Sequence, residues 1–175
     1  MMIRVSLVEH DRTAREILSG WIANAEGFEL VSAFGTAEVG LAALPNQSPD
    51  VVLTDIKLPG LDGIEFVRQL KPLLPTTKFV MQTAYEGSIH IFNALQAGAA
   101  GYLLKQKDYD ELPAALKCAH AGGSPMTSCI ARLVEQCFQL WLAWDPNSAR
   151  RWLAGTDFSE EIKQHWLSES PPPVF

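Results

Sequence analysis

Val51-Val-Leu-Thr-Asp55-Ile-Lys-Leu-Pro-Gly60-Leu-Asp-Gly-Ile-Glu65-Phe-Val-Arg-Gln-Leu70 reads as a strand, a turn and an amphipathic helix in immediate succession. Val51 to Thr54 is a short β-branched, apolar run, and Pro59, Gly60 and Gly63 punctuate the segment after it. Ile64, Val67 and Leu70 then recur at three-residue steps, a spacing that lines one face of a helix. The same unit repeats on both sides. Upstream, Ile3 to Val8 precedes Ala14, Ile17, Leu18, Trp21 and Ile22, and Phe28 to Phe34 precedes a helix over Ala37 to Leu44. Downstream, Lys78 to Gln82 precedes Ile89, Phe92 and Leu95, and Gly101 to Leu104 precedes Leu112, Ala115, Leu116 and Ala119. Parallel strands need crossover connections, which are usually helices, so five such units predict an α/β fold with helices on both faces of a parallel sheet. Breakers fall between units: Pro45, Asn46 and Pro49 before the third strand, Pro72 and Pro75 before the fourth, Gly98 before the fifth, and Gly122-Gly123 after the fifth helix.

With 175 residues and 47% hydrophobic content, the chain can bury one substantial core plus a small appendage. A net charge of −6 provides no basic footprint for nucleic acid or anionic lipid. Cys118, Cys129 and Cys137 match no zinc spacing, and no apolar leader opens the chain, which suggests a reducing, cytoplasmic setting. No run approaches the ~20 apolar residues that span a bilayer.

In an open parallel sheet, ligand chemistry gathers beyond the carboxyl ends of the strands, near the switch in strand order. There the first strand delivers Glu9-His10-Asp11, the third Asp55, the fourth Thr83 and the fifth Lys105. Singly these are ordinary: an Asp after a strand is most often a turn former or helix cap, and a Lys there a solvated charge. Together they suit transfer of a phosphoryl group to a carboxylate. Asp55 would be the nucleophile. Carboxylates from the first strand, with Asp55, would hold a hard divalent cation. Thr83 would donate to a phosphoryl oxygen, and Lys105 would pair with its charge.

These motifs resemble response-regulator receiver domains over about residues 2 to 126. Ile3-Arg-Val-Ser-Leu-Val-Glu-His-Asp11 is similar to the acidic-loop segment, and Asp55-Ile-Lys-Leu-Pro-Gly-Leu-Asp-Gly63 to the phosphoacceptor segment. Thr83-Ala84 and Gly98-Ala-Ala-Gly-Tyr-Leu-Leu-Lys105 resemble the remaining switch motifs. The resemblance implies a flavodoxin-like (βα)5 doubly wound sheet with a short α-helical C-terminal extension. It also implies a cytoplasmic two-component phosphoprotein, phosphorylated on Asp55 by a sensor histidine kinase or phosphotransfer protein. Mg2+ would be held by Asp55, the acidic loop Glu9, His10 and Asp11, and the Lys57 carbonyl. Thr83, Ala84, Tyr102 and Lys105 would bind the phosphoryl group and switch a downstream protein target through the fourth helix, fifth strand and fifth helix. Lys57 and Tyr85 would set how long the phosphoryl group persists.

Two positions depart from the pattern. With the register fixed by the first strand and Arg15, Glu9 and His10 occupy the paired-acid positions, and His10 the one that usually meets the metal. Imidazole suits borderline transition metals better than Mg2+, and the lost anionic charge is worth ~4 kcal/mol at 4 Å and an effective dielectric of ~20. Either Mg2+-dependent phosphorylation survives with help from Glu9 or Asp11, or the chain is an atypical receiver acting as a protein-interaction module. His10 also reads as a cap for the next helix.

The second departure lies beyond the receiver. Leu112 to Arg132 resembles NarL/LuxR-type regulators, which continue into a helix-turn-helix domain, and Trp152 to Gly155 and Ser159 to Ile162 resemble the start of one. Residues 131–175 nevertheless carry four Arg/Lys against six Asp/Glu, and no basic recognition helix is present there. DNA binding through a degenerate effector is therefore the weaker expectation. Ile130, Leu133, Val134, Cys137, Phe138 and Trp141 form a helical stripe, which either folds back on the receiver or makes a homodimer or partner surface. The expected division is a receiver over 1–124, a helical extension over 125–170 and a proline-rich tail over 171–175.

Rival chemistries fit less well. A haloacid-dehalogenase-type phosphatase places a second Asp two residues after its nucleophile, where this chain has Lys57. A flavin binder needs a hydroxyl- or glycine-rich phosphate loop where this chain has Glu9-His10-Asp11-Arg12. Chemistry is thus expected only at Asp55 itself.

Overall fold

The computed structural model describes residues 2–84, 88–105 and 110–168. Five strands, β1 (Ile3–Val8), β2 (Phe28–Phe34), β3 (Val51–Thr54), β4 (Lys78–Thr83) and β5 (Ala99–Leu104), form one sheet in the order β2-β1-β3-β4-β5, every pair parallel. The crossovers contain α1 (Arg12–Asn24), α2 (Ala37–Gln47), α3 (Gly63–Leu70) and α4 (Ser88–Ala97), and α5 (Leu112–His120) comes after β5. This is the doubly wound, flavodoxin-like arrangement, and its strand order reverses between β1 and β3.

Strand alternation builds two cores. Val5, Leu7, Val51, Leu53 and Val80 face Leu18 and Ile22 of α1 and Leu112 and Leu116 of α5. Val8, Val52, Phe79 and Met81 point the other way, towards Phe66 and Val67 of α3 and Ile91 and Leu95 of α4. Successive strand residues face opposite sides of a sheet, so one apolar run fills both layers. One boundary differs from expectation: α2 continues through Pro45 to Gln47 instead of stopping at Leu44. A proline in the final turn forfeits only one intrahelical bond, and the helix closes at Ser48, whose φ of 45° is left-handed and whose N–H donates to the Leu44 carbonyl.

The C-terminal stretch is helical: α6 (Ser128–Trp144), α7 (Pro146–Ala154) and α8 (Glu160–Ser168). Its stripe folds back on the sheet domain. Ile130, Val134 and Phe138 are buried in the same core as Ile91, Ala94 and Leu95 of α4, and the Phe92 and Trp152 rings lie 5.0 Å apart. Asp157 Oδ2 receives Lys71 Nζ and Lys78 Nζ, each at 3.1 Å, tying the segment after α7 to the base of the sheet. A dimer through that stripe would need residues already used within the chain; the large apolar side chains left exposed on α6 are Leu140 and Trp144. The Pro171–Pro173 tail lies outside the described residues. No helix among them is long and apolar enough to cross a membrane, and Cys118, Cys129 and Cys137 are all free thiols.

The linker between α5 and α6 runs along the β5 edge and makes an isolated parallel bridge there, Met126 with Tyr102. The Tyr102 N–H donates to the Pro125 carbonyl at 2.9 Å, the Thr127 N–H to the Tyr102 carbonyl at 3.3 Å, and the Leu104 N–H to Thr127 Oγ1 at 2.9 Å. Gly101 makes this possible, because a Cβ there would stand 2.6 Å from the Pro125 carbonyl oxygen.

Candidate functional site

The reversal between β1 and β3 leaves a crevice at their carboxyl ends. Glu9 comes directly after β1 and Asp55 directly after β3, and both are almost fully buried, at 1% and 4% exposure. Main-chain bonds fix their starting points: Glu9 N–H donates to the Phe34 carbonyl, and Asp55 N–H to the Val8 carbonyl. Lys105, beyond β5, is positioned by its own N–H on the Thr83 carbonyl at 2.9 Å. Its ammonium bridges the two acids, 2.7 Å from Glu9 Oε2 and 2.7 Å from Asp55 Oδ2. Burial disfavours that ammonium, but the hydrogen bonds and charges of Asp55 and Glu9 outweigh it and hold the Lys105 pKa above the ordinary lysine value.

The remaining predicted residues divide. His10 is exposed and sets Nδ1 3.4 Å from Glu9 Oε1 and 3.9 Å from Asp55 Oδ2, and these three residues can offer ligand atoms to one ion. Asp11 does not join them. Its Oδ1 accepts from the Ala14 N–H at 2.7 Å and caps α1, so the capping role considered for His10 is filled by Asp11. Lys57 is exposed, and its N–H donates to Asp55 Oδ1 at 3.2 Å. Thr83 is buried at the end of β4, and Ala84 after it is exposed. Tyr102 is fully buried; burial, then the charge of Asp55, pushes its phenol pKa well up. Tyr85 lies outside the described residues.

Three further positions hold the site, none of them expected from the sequence as a site residue. Arg15 donates from one guanidinium nitrogen to the carbonyls of Glu9 at 2.6 Å and His10 at 3.1 Å, clamping the loop that presents both side chains. Glu38 accepts the Leu61 N–H at 2.9 Å and steadies the loop after Asp55; that bond draws the Glu38 pKa down. Gly63 opens α3 so close to the acceptor that a Cβ would overlap the Asp55 carbonyl oxygen. Its sequence signal is that of a turn glycine, with nothing to mark the close approach.

Mg2+ is a poor match for these donors. It demands oxygen ligands in near-octahedral array at about 2.0–2.1 Å, which puts adjacent donors roughly 2.9 Å apart. Here one donor in three is an imidazole nitrogen, and Lys105 already neutralises part of the acidic charge.

The family profile described as "Response regulator receiver domain" matches residues 5–117. The response regulator GacA of Pseudomonas viridiflava is 34% identical over 139 residues, covering 79% of this chain and 65% of that protein. The chain thus spans slightly under two thirds of that relative's length. A LuxR-family two-component response regulator from Aurantimonas sp. SI85-9A1 superposes with a TM-score of 0.71 at 30% identity, over 75% of this chain and 94% of that one. The response regulator ChrA of a heme-sensing two-component system shares the fold, with a TM-score of 0.63 at 24% identity over 95% of this chain and 87% of that one.

Proposed function

This chain belongs to the response regulator receiver family, and we propose that it acts as a phospho-accepting switch with Asp55 as the acceptor. The observation that carries this reading is the Lys105 ammonium, held 2.7 Å from both Asp55 and Glu9 at the ends of β1, β3 and β5. A phosphohistidine on a sensor kinase or phosphotransfer protein is the natural donor. An Asp55 carboxylate oxygen attacks phosphorus, the P–N bond breaks with its electron pair going to the imidazole, and an acyl phosphate forms. Lys105 moves with the charge onto the phosphoryl oxygens, the Thr83 hydroxyl donates to another, and Ala84 and Tyr102 adjust with them. Exposed Lys57 stands beside the acceptor, where it would influence attack by hydrolytic water. Turnover is confined to the protein's own acyl phosphate.

The output on this reading is a protein contact. The acidic balance of residues 131–175 disfavours a phosphate backbone, so a downstream protein is a better target than DNA. The test is incubation with a small phosphodonor, then a phosphate-affinity gel and intact mass. Wild type should gain one phosphoryl group that is lost in Asp55→Asn, whereas labelling that persists in Asp55→Asn would overturn the assignment. His10 favours a second reading, in which the switch is an atypical receiver. Mg2+-independent labelling, or none at all with intact folding, would separate that reading from the ordinary one.

A further inference from the structure

We infer that Glu9, His10 and Asp55 form a site for a borderline divalent transition ion of the Zn2+ or Co2+ class, in preference to Mg2+. This rests on the same crevice as the proposed function but not on phosphoryl transfer. The donor set is mixed, one imidazole and two carboxylates, and their ligand atoms all lie within 4.8 Å of one another. Imidazole raises affinity for later first-row ions, whereas Mg2+ gains little from it.

The spacing of His10 and Glu9 is compatible with a later first-row ion. Four-coordinate ions of this class hold nitrogen and oxygen ligands at about 2.0–2.2 Å, so tetrahedral neighbours stand roughly 3.4 Å apart. His10 Nδ1 lies 3.4 Å from Glu9 Oε1, which matches that edge, and 3.9 Å from Asp55 Oδ2. Three protein ligands leave a fourth position open, as in catalytic rather than structural sites of this ion class.

Two supports make this a prepared arrangement. Arg15 fixes the backbone at Glu9 and His10 through both carbonyls, so the imidazole springs from a held loop. Lys105 engages Glu9 through Oε2, leaving Oε1, the oxygen that faces His10, for the ion; at Asp55 it holds Oδ2, the oxygen 3.9 Å from His10, so the ion would share that oxygen with the ammonium. Oε1 is also steadied by the Asp11 N–H at 3.0 Å. Such a second bond from a neighbouring donor is what orients a carboxylate ligand. Asp11, which caps α1, is not among the residues whose ligand atoms converge there.

The experiment is a Co2+ titration of the full chain monitored by visible d–d absorption, with Mg2+ or Zn2+ as competitor. Wild type should take up one equivalent with the strong absorption of a low-coordinate site. Zn2+ should displace it, while Mg2+ at about a hundredfold excess should not. His10→Asp, at a surface position whose backbone carbonyl is already held, should weaken Co2+ by about tenfold or more and strengthen Mg2+ by a similar factor. Equal competition by Mg2+, or Co2+ binding unchanged in both His10→Asp and Asp55→Asn, would overturn the inference; the latter result would place the ion on surface histidines or thiols. Phosphodonor labelling run in parallel keeps the two readings apart. Loss of labelling with the Co2+ spectrum intact counts against the acceptor reading alone, and the reverse against the metal reading alone.

Discussion

Replacing Gly101 by alanine should detach the C-terminal helices from the switch strand while leaving the five-stranded sheet in place. The new Cβ would lie 2.6 Å from the Pro125 carbonyl oxygen and 2.7 Å from its Cγ, and neither a main-chain carbonyl nor a proline ring turns aside as a long side chain would. Two responses are open. If the linker holds its place, the clash is a core overpacking worth about 1–3 kcal/mol. If it lifts away, three hydrogen bonds are lost: Tyr102 N–H to Pro125, Thr127 N–H to Tyr102, and Leu104 N–H to Thr127 Oγ1. At roughly 0.5–1.5 kcal/mol each, they total about 1.5–4.5 kcal/mol. Both routes centre on roughly 2–3 kcal/mol, a factor of about 30–150 in an opening equilibrium. Hydrogen exchange at the Tyr102, Leu104 and Thr127 amides should accelerate by that order, with urea unfolding by tryptophan fluorescence shifting in parallel, since Trp141, Trp144, Trp152 and Trp166 all lie in α6–α8. Gly20→Ala is the control: nothing lies within 4 Å of a Cβ there, on a helix, so stability should rise by up to ~1 kcal/mol. Unchanged protection at Tyr102 and a loss below ~0.5 kcal/mol in Gly101→Ala would refute the idea that the linker is bound as a strand.

Gly63→Ala, whose Cβ would overlap the Asp55 carbonyl, should cost about 1–3 kcal/mol or more in urea melts and should reduce phosphodonor labelling even where the protein remains folded. Arg15→Met removes the clamp on the Glu9 and His10 carbonyls and should cost about 1–3 kcal/mol, with faster exchange confined to the loop after β1; a change spread evenly over the sheet would contradict a local role. Lys105 and Tyr102 both have raised pKa values in the folded state, so the fold binds more protons than the unfolded chain at alkaline pH. Their contribution is complete below the ordinary lysine and tyrosine values and falls away as pH rises through and beyond them. An alkaline titration of tyrosinate absorbance should therefore show a cooperative step that coincides with unfolding and disappears in Tyr102→Phe. Ionisation of Tyr102 in the intact fold would contradict this.

Legibility in the sequence depends on how far each signal travels along the chain. Glu9, Asp55, Thr83 and Lys105 are legible because each ends an apolar run, and a parallel sheet puts strand ends together whatever the loops do. Asp11 is ambiguous in sequence because an acid after a strand serves equally as ligand or helix cap; the Ala14 N–H at 2.7 Å shows the cap. The α6 stripe is visible as a stripe, but apolar periodicity gives a face and no partner, so docking on α4 and self-association look alike. The Asp157 contacts with Lys71 and Lys78 and the single bridge between Tyr102 and Met126 join residues far apart in sequence or too few to make a pattern.

The position of that bridge changes where a signal can leave the protein. The resemblance places output on α4, β5 and α5, but here α6 and α7 cover α4, where Ile91, Ala94 and Leu95 share a core with Ile130, Val134 and Phe138, and the linker takes the edge of β5. That face is therefore already occupied within the chain, except on its α5 side. Tyr102 joins the two ends of this arrangement. Its ring is fully buried and feels the charge of Asp55, while its N–H and carbonyl both hold the linker that starts α6. The contacts of Tyr102 thus link the Asp55 end of the sheet to the chain's own C-terminal helices.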